Sequence, residues 1–209
     1  ITPRQVQMMA TLIQNNPTVE PHFYAQQICR PLVPKNMLKS FDEKFPPIKK
    51  DYEALKSSNF CNTPSRLPYQ HQILDFLKLQ QHGLDKGLNR LVLEGEAGVG
   101  KTEMVIDLLV SNGYQKNQPG NSKTFYHIPA SMNYTQKKEA LLKAFDEGAI
   151  VLIDEINSVA TMEKLLNNLL DGKHPEGNRP PKNAGFRLIG TQNPPEYAGR
   201  NIDSPALAS

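Results

Sequence analysis

The sequence predicts an α/β fold: a parallel sheet with helices on both faces. Three observations carry this. Four short apolar runs, Leu91–Leu93, Phe125–Ile128, Ile150–Ile153 and Phe186–Ile189, are each the length of a strand. Helical periodicity fills the stretches between them, which is the alternation that builds parallel sheets. The first run ends in a glycine-rich turn that opens directly into a helix.

In chain order, residues 1–16 read as an amphipathic helix. Thr2 caps it, Pro3 suits the first helical position, Gln5 completes a capping box, and Val6, Met9, Ala10 and Ile13 fall on one face. Residues 17–68 are proline-rich with weak periodicity. They read as irregular chain with one or two short helices, and Phe23, Tyr24, Ile28, Leu32 and Phe41 give it something to bury. From residue 69 the folded core is expected. A helix over about 69–82 buries Ile73, Leu74 and Leu77, with Leu84 next on its stripe, and Gly83 and Gly87 break it. After the first strand a helix buries Met104, Val105, Leu108 and Leu109 and stops at Asn112-Gly113. Further helices are expected at about 135–147 and 161–171.

Composition bounds the rest. The 209 residues suffice for one α/β domain with a small appendage. With 38% hydrophobic and 22% charged residues the chain is globular rather than disordered. Net charge is +3, aromatics are 7% and tryptophan is absent, which neither demands nor excludes nucleic acid and argues against a wall of stacking platforms. Cys29 and Cys61 have no metal-type spacing and read as reduced thiols of a cytoplasmic protein, a single bridge being the alternative. No apolar run approaches a membrane span and no signal peptide opens the chain. His71 and His82 lie about 16 Å apart along one helix and cannot share a metal. The first residue is Ile, so the chain reads as a cut fragment.

Gly95-Glu96-Ala97-Gly98-Val99-Gly100-Lys101-Thr102 fits G-x-x-x-x-G-K-[ST], the phosphate-binding P-loop. Backbone N–H groups must wrap anionic oxygens closely, which glycine permits. Lys101 brings a compact charge to the β- and γ-phosphates, Thr102 offers a hydroxyl to Mg²⁺, and the helix points its positive end at the site. A glycine-rich turn alone does not explain Lys and Thr in that order. The fold class narrows to a P-loop NTPase sheet.

Ile150–Ile153 ends in Asp154-Glu155. Acids at the end of a buried parallel strand are costly unless they stand at its carboxyl edge and meet a cation. Asp154 is placed to hold Mg²⁺, and Glu155 to orient and deprotonate a water. Capping of the following helix is the plainer alternative, and the upstream P-loop counts against it.

Gly95–Thr102, Val151–Glu155 and Gly190-Thr191-Gln192-Asn193-Pro194 together resemble the nucleotide-contacting motifs of AAA+ ATPases. Pro195–Arg200 and Ser204–Leu207 are similar to the MoxR, midasin and dynein-related branch. The resemblance covers about residues 70–209. It implies that Asn193 positions the attacking water, that the P-loop strand is central in the sheet, and that ATP and Mg²⁺ are bound beside neighbouring AAA+ subunits or modules. It also implies an arginine finger, a fifth strand and a helical lid, all expected beyond Ser209. Thr2–Gln5 is similar to the start of a lid helix, so residues 1–16 read either as the end of a preceding module or as an ordinary capped surface helix.

The function expected is ATP hydrolysis coupled to remodelling or assembly of a partner protein complex. The alternatives are an ATP-bound interaction module with negligible turnover, and a GTP-using or nucleic-acid motor subunit. Base choice is not legible, because the P-loop recognises phosphates. Residues 173–182 form a mildly basic, proline-rich loop, read either as facing a central pore or as a solvated connection.

Overall fold

The computed structural model describes residues 2–15, 17, 20–46, 63–78, 89–158 and 162–194. Cys61, His82, Gly83, Leu84, Gly87 and the stretch from Pro195 to Ser209 lie outside them. The chain divides into two compact units.

The first unit begins with α1 (Pro3–Asn15). Its capping box is closed reciprocally: Thr2 N donates to Gln5 Oε1 at 2.7 Å and Gln5 N to Thr2 Oγ1 at 3.4 Å. The expected apolar face is less buried than its spacing suggests, since Val6 is 56% exposed and Ala10 is exposed too. Where proline suggested irregular chain, helical turns run almost without break. α2 (Pro21–Tyr24) passes into a π-turn at Ala25–Cys29 and a 3-10 turn at Arg30–Leu32, and Lys35–Met37 leads into α3 (Leu38–Lys44). Pro21 and Pro31 fall in first turns, where the missing N–H is not needed. Phe23 and Tyr24 are buried, but Leu32 is 52% exposed. Cys29 is a free, buried thiol whose pKa burial pushes up.

The second unit holds the sheet. α4 (Leu67–Lys78) precedes β1 (Arg90–Glu94), and Ile73 and Phe76 are its buried apolar residues. Then come α5 (Lys101–Ser111), β2 (Gln115–Lys116), β3 (Thr124–Ile128), α6 (Tyr134–Glu147), β4 (Ile150–Ile153), α7 (Glu163–Leu170) and β5 (Arg187–Gln192). The five strands are all parallel, in the order β1-β5-β4-β3-β2. β4 is buried along its whole length, as its unbroken apolar run requires.

Among the described residues the P-loop strand β1 stands at one edge, paired with β5. The fifth strand that the resemblance implies was expected beyond Ser209, outside the described residues.

Local chemistry fixes the helix ends. Asn133 Oδ1 accepts from Gln136 N at 3.0 Å to cap α6, and Gly148 closes it at φ 67°. Beneath the sheet, α6 and α7 bury Leu141, Phe145, Leu166 and Leu169 against β4 and β5. The Phe145 and Phe186 rings meet edge-on at 5.3 Å, and truncating either to alanine costs ~3–5 kcal/mol. Arg187, the first residue of β5, holds its guanidinium 5.3 Å from the Phe76 ring and donates an N–H to the Phe76 carbonyl, which ties α4 to the sheet.

Candidate functional site

Parallel strands bring all their carboxyl ends to one rim, and there the candidate residues gather. β1 leads into the turn Gly95–Gly100, with Gly98 at φ 78° and Gly100 at φ 80°. Both angles belong to the left-handed region that glycine enters without cost. The turn delivers Lys101 and Thr102 as the first residues of α5. β4 ends at Ile153 and leads straight into Asp154 and Glu155, and β5 runs through Thr191 and Gln192 to reach Asn193.

Lys101 Nζ donates to Gly95 O at 2.7 Å, Glu96 O at 2.8 Å and Asn193 Oδ1 at 2.9 Å. Thr102 Oγ1 donates to Asp154 Oδ1 at 2.7 Å. Asn193 Nδ2 stands 3.5 Å from Glu155 Oε1, the outer limit of a hydrogen bond. Glu155 takes a positive φ of 51°, uncommon for a side chain of its size. A cleft of about 340 Å³ opens among these groups, lined by Ala97, Gly98, Gly100, Lys101, Thr102, Asp154, Glu155, Thr191 and Asn193. The structure thus brings together every candidate the sequence named. Only Gly95, Glu96 and Val99 are off the cleft wall, and Val99 is exposed at the turn's tip.

The electrostatics follow from the contacts. Burial penalises the charge of Asp154, but hydrogen bonds from His127, Thr102 and Thr191 outweigh it and hold the carboxyl below its usual range. Asp154 is therefore an anion at neutral pH, with its charge at the cleft.

The site fits a nucleoside triphosphate and a divalent cation on its own geometry. The turn and the N-terminus of α5 supply N–H groups for phosphate oxygens. Thr102 and Asp154 supply two oxygens already in contact, the hard donors that Mg²⁺ takes.

The family model for the AAA domain (dynein-related subfamily) matches residues 90–209. The chain belongs to this AAA family. AAA domains are nucleotide-binding ATPases that typically bind ATP with Mg²⁺, and the five-stranded parallel sheet is the P-loop AAA fold. Midasin of Giardia intestinalis is 33% identical over 117 residues, covering 50% of this chain and 2% of that protein. The chain therefore spans a small fraction of that relative's length.

Sequence reasoning missed several contacts around this site. His127 Nε2 lies 2.8 Å from Asp154 Oδ2. Asn157 Nδ2 donates to Asn193 O at 3.1 Å, Arg66 donates to Val99 O at 3.1 Å, and Gln192 Nε2 donates to Glu94 Oε2 at 2.8 Å. His127 had one signal, a titratable residue inside an apolar run, but its partner is set by strand order. Nothing in the local sequence marked Arg66. Among the described residues no group of three metal-ligating side chains occurs, and no helix is long and apolar enough to cross a membrane.

Proposed function

We propose that this AAA module binds ATP with Mg²⁺ and hydrolyses it. The observation that carries the reading is the meeting of the turn and the strand end: Thr102 Oγ1 touches Asp154 Oδ1 at 2.7 Å while Lys101 Nζ reaches Asn193 on the next strand. Lys101 exchanges the carbonyls of Gly95 and Glu96 for β- and γ-phosphate oxygens. The N–H groups of Gly95, Glu96, Ala97, Gly98, Val99, Gly100, Lys101 and Thr102 form the cradle. Thr102 and Asp154 would hold Mg²⁺, which when bound supplies charge neutralisation across the phosphates. Glu155 orients a water and takes its proton, and Asn193 holds that water near the γ-phosphate by donating and accepting without titrating. The bond that breaks lies between the γ-phosphorus and the bridging oxygen, the water oxygen adds to phosphorus, and ADP leaves. Turnover is coupled to remodelling or assembly of a partner protein complex, with neighbouring AAA subunits or modules beside the site.

The test compares steady-state ATP hydrolysis by the protein with that of Glu155→Gln, alongside binding of a fluorescent ATP analogue. Retained binding with lost turnover supports the reading. Equal, near-zero rates in both would favour an ATP-bound interaction module instead. GTP displacing the labelled ATP at equal concentration would overturn the choice of base.

A further inference from the structure

The two carboxylate oxygens of Asp154 meet different elements. Oδ1 accepts from Thr102 at the head of α5 at 2.7 Å, with Thr191 Oγ1 at 3.4 Å. Oδ2 lies 2.8 Å from His127 Nε2 on β3. Sheet register sets this second contact. His127 pairs with Leu152, and Asp154 lies two residues beyond Leu152, so the two side chains share one face. The Asp154 N–H donates to Ile128 O at 3.0 Å, which extends the ladder one step past the strand end and locks the alignment. Both side chains are largely buried, at 14% and 19% exposure. An ionised carboxylate only accepts, so the imidazole nitrogen facing it carries the proton and donates.

We propose that His127 is a positioning residue for Mg²⁺ binding: its Nε2–H holds Oδ2 and so keeps Oδ1 of Asp154 beside the Thr102 hydroxyl at the cleft. This deepens the proposed function and rests on Asp154 being the metal-binding acid there. The physical need is specific. The terminal torsion of an aspartate is broad and roughly two-fold, so a carboxylate anchored at one oxygen swings. Two anchors on different oxygens, from a helix and from a neighbouring strand, remove that freedom before the cation arrives. Outer-shell partners of metal ligands typically account for 10–100-fold in metal affinity. His127 is not itself a ligand in this scheme, because the nitrogen turned toward the site is occupied by Asp154.

The experiment measures binding of a fluorescent ATP analogue to the full chain as free Mg²⁺ is varied, and again in EDTA. His127→Ala is expected to raise the Mg²⁺ needed for half-saturation about tenfold, with affinity in EDTA unchanged. His127→Gln, whose amide can donate from a similar position, is expected to restore most of the loss. His127→Leu fills the space without a donor and should behave as alanine does, which separates positioning from packing if the alanine variant folds poorly. An unchanged Mg²⁺ requirement in His127→Ala and His127→Leu, or an equal loss in EDTA, overturns the proposal. Asp154→Asn separates the two readings. If it leaves the Mg²⁺ requirement unchanged, the assignment of Asp154 fails; if it raises the requirement and the His127 variants do not, only the positioning role fails.

Discussion

Lys101 and Asn193, 92 positions apart in the chain, are joined by a hydrogen bond of 2.9 Å from Nζ to Oδ1. The bond ties the phosphate turn to the end of β5 and leaves the Asn193 amide nitrogen facing Glu155. In the proposed reaction this amide changes partners when the triphosphate draws Lys101 away. Asn193→Ala is accordingly expected to leave ATP affinity within about threefold of wild type and to lower kcat by about 100-fold, the scale for losing one positioned donor. Lys101→Ala is expected to weaken binding itself. A titration of the fluorescent nucleotide beside steady-state kinetics reads both. Equal losses of affinity in the two variants would remove the separate role given to Asn193.

Arg179 pairs with Asp146 through Nη1 and Nη2, at 2.6 and 2.8 Å, and Lys182 Nζ stands 3.4 Å from the same carboxylate. These contacts pin the basic loop 173–182 to the end of α6. The Arg179 hydrogen bonds outweigh the effect of burial, with Lys182 adding to them, and lower the Asp146 carboxyl from 3.8 to about 2. Because the folded-state value is depressed, the stabilisation is full above the unfolded value and is lost as pH falls through the folded one. With half-exposed partners and solvent screening it is worth about 1 kcal/mol at neutral pH. Urea midpoints of the wild type and Asp146→Asn should therefore differ at pH 6 and converge between pH 4 and pH 2.

Gly148 and Gly113 both end helices at positive φ, 67° and 84°, and make a matched pair. A Cβ on Gly113 would meet only the Lys123 side chain, at 3.7 Å, an ordinary contact. A Cβ on Gly148 would run into the carbonyl groups of Asn183 and Ala184. Gly113→Ala is expected to cost about 1 kcal/mol from backbone conformation alone. Gly148→Ala should cost ~2–3 kcal/mol, because the loop before β5 must also shift. Denaturant midpoints check the order. Equal costs would mean that the collision is relieved freely.

How much of this was legible follows from where apolarity and chemistry coincide. β4 reads off the sequence to the residue, because a strand buried on both faces has no polar interruption until its end. The four residues chosen for the buried face of α5, Met104, Val105, Leu108 and Leu109, are all buried. β5 is longer than its apolar run: Gly190, Thr191 and Gln192 continue the ladder opposite Val92, Leu93 and Glu94. There the strand stops serving the core and begins serving the site, so its residues turn polar. β2 has two exposed polar residues and no pattern to find. The His127–Asp154 contact depends on β3 lying beside β4, which periodicity along one segment does not encode. The sparse burial of Val6 and Ala10 has the same root: spacing gives a face, and only tertiary structure says what covers it.

Gly190 packs against the turn that follows Glu155. A Cβ there would stand 3.0 Å from Ile156 Cδ1 and 3.1 Å from its Cγ2, tighter than side chains normally pack. Ile156 is buried, 2% exposed, and opens the 3-10 turn Ile156–Ser158 directly after Glu155. Its seat on Gly190 therefore sets the height of the turn that carries Glu155, whose φ of 51° leaves little latitude for a shift. Gly190→Ala is expected to cost ~1–3 kcal/mol by overpacking and to displace Ile156 by a few tenths of an ångström. Displacement of a positioned group lowers rate more than it lowers affinity, so kcat should fall while nucleotide affinity holds. Adding Ile156→Val removes the methyl nearest the new Cβ and should recover part of both stability and kcat. A double variant no better than Gly190→Ala on either measure would place the origin of the loss outside this contact.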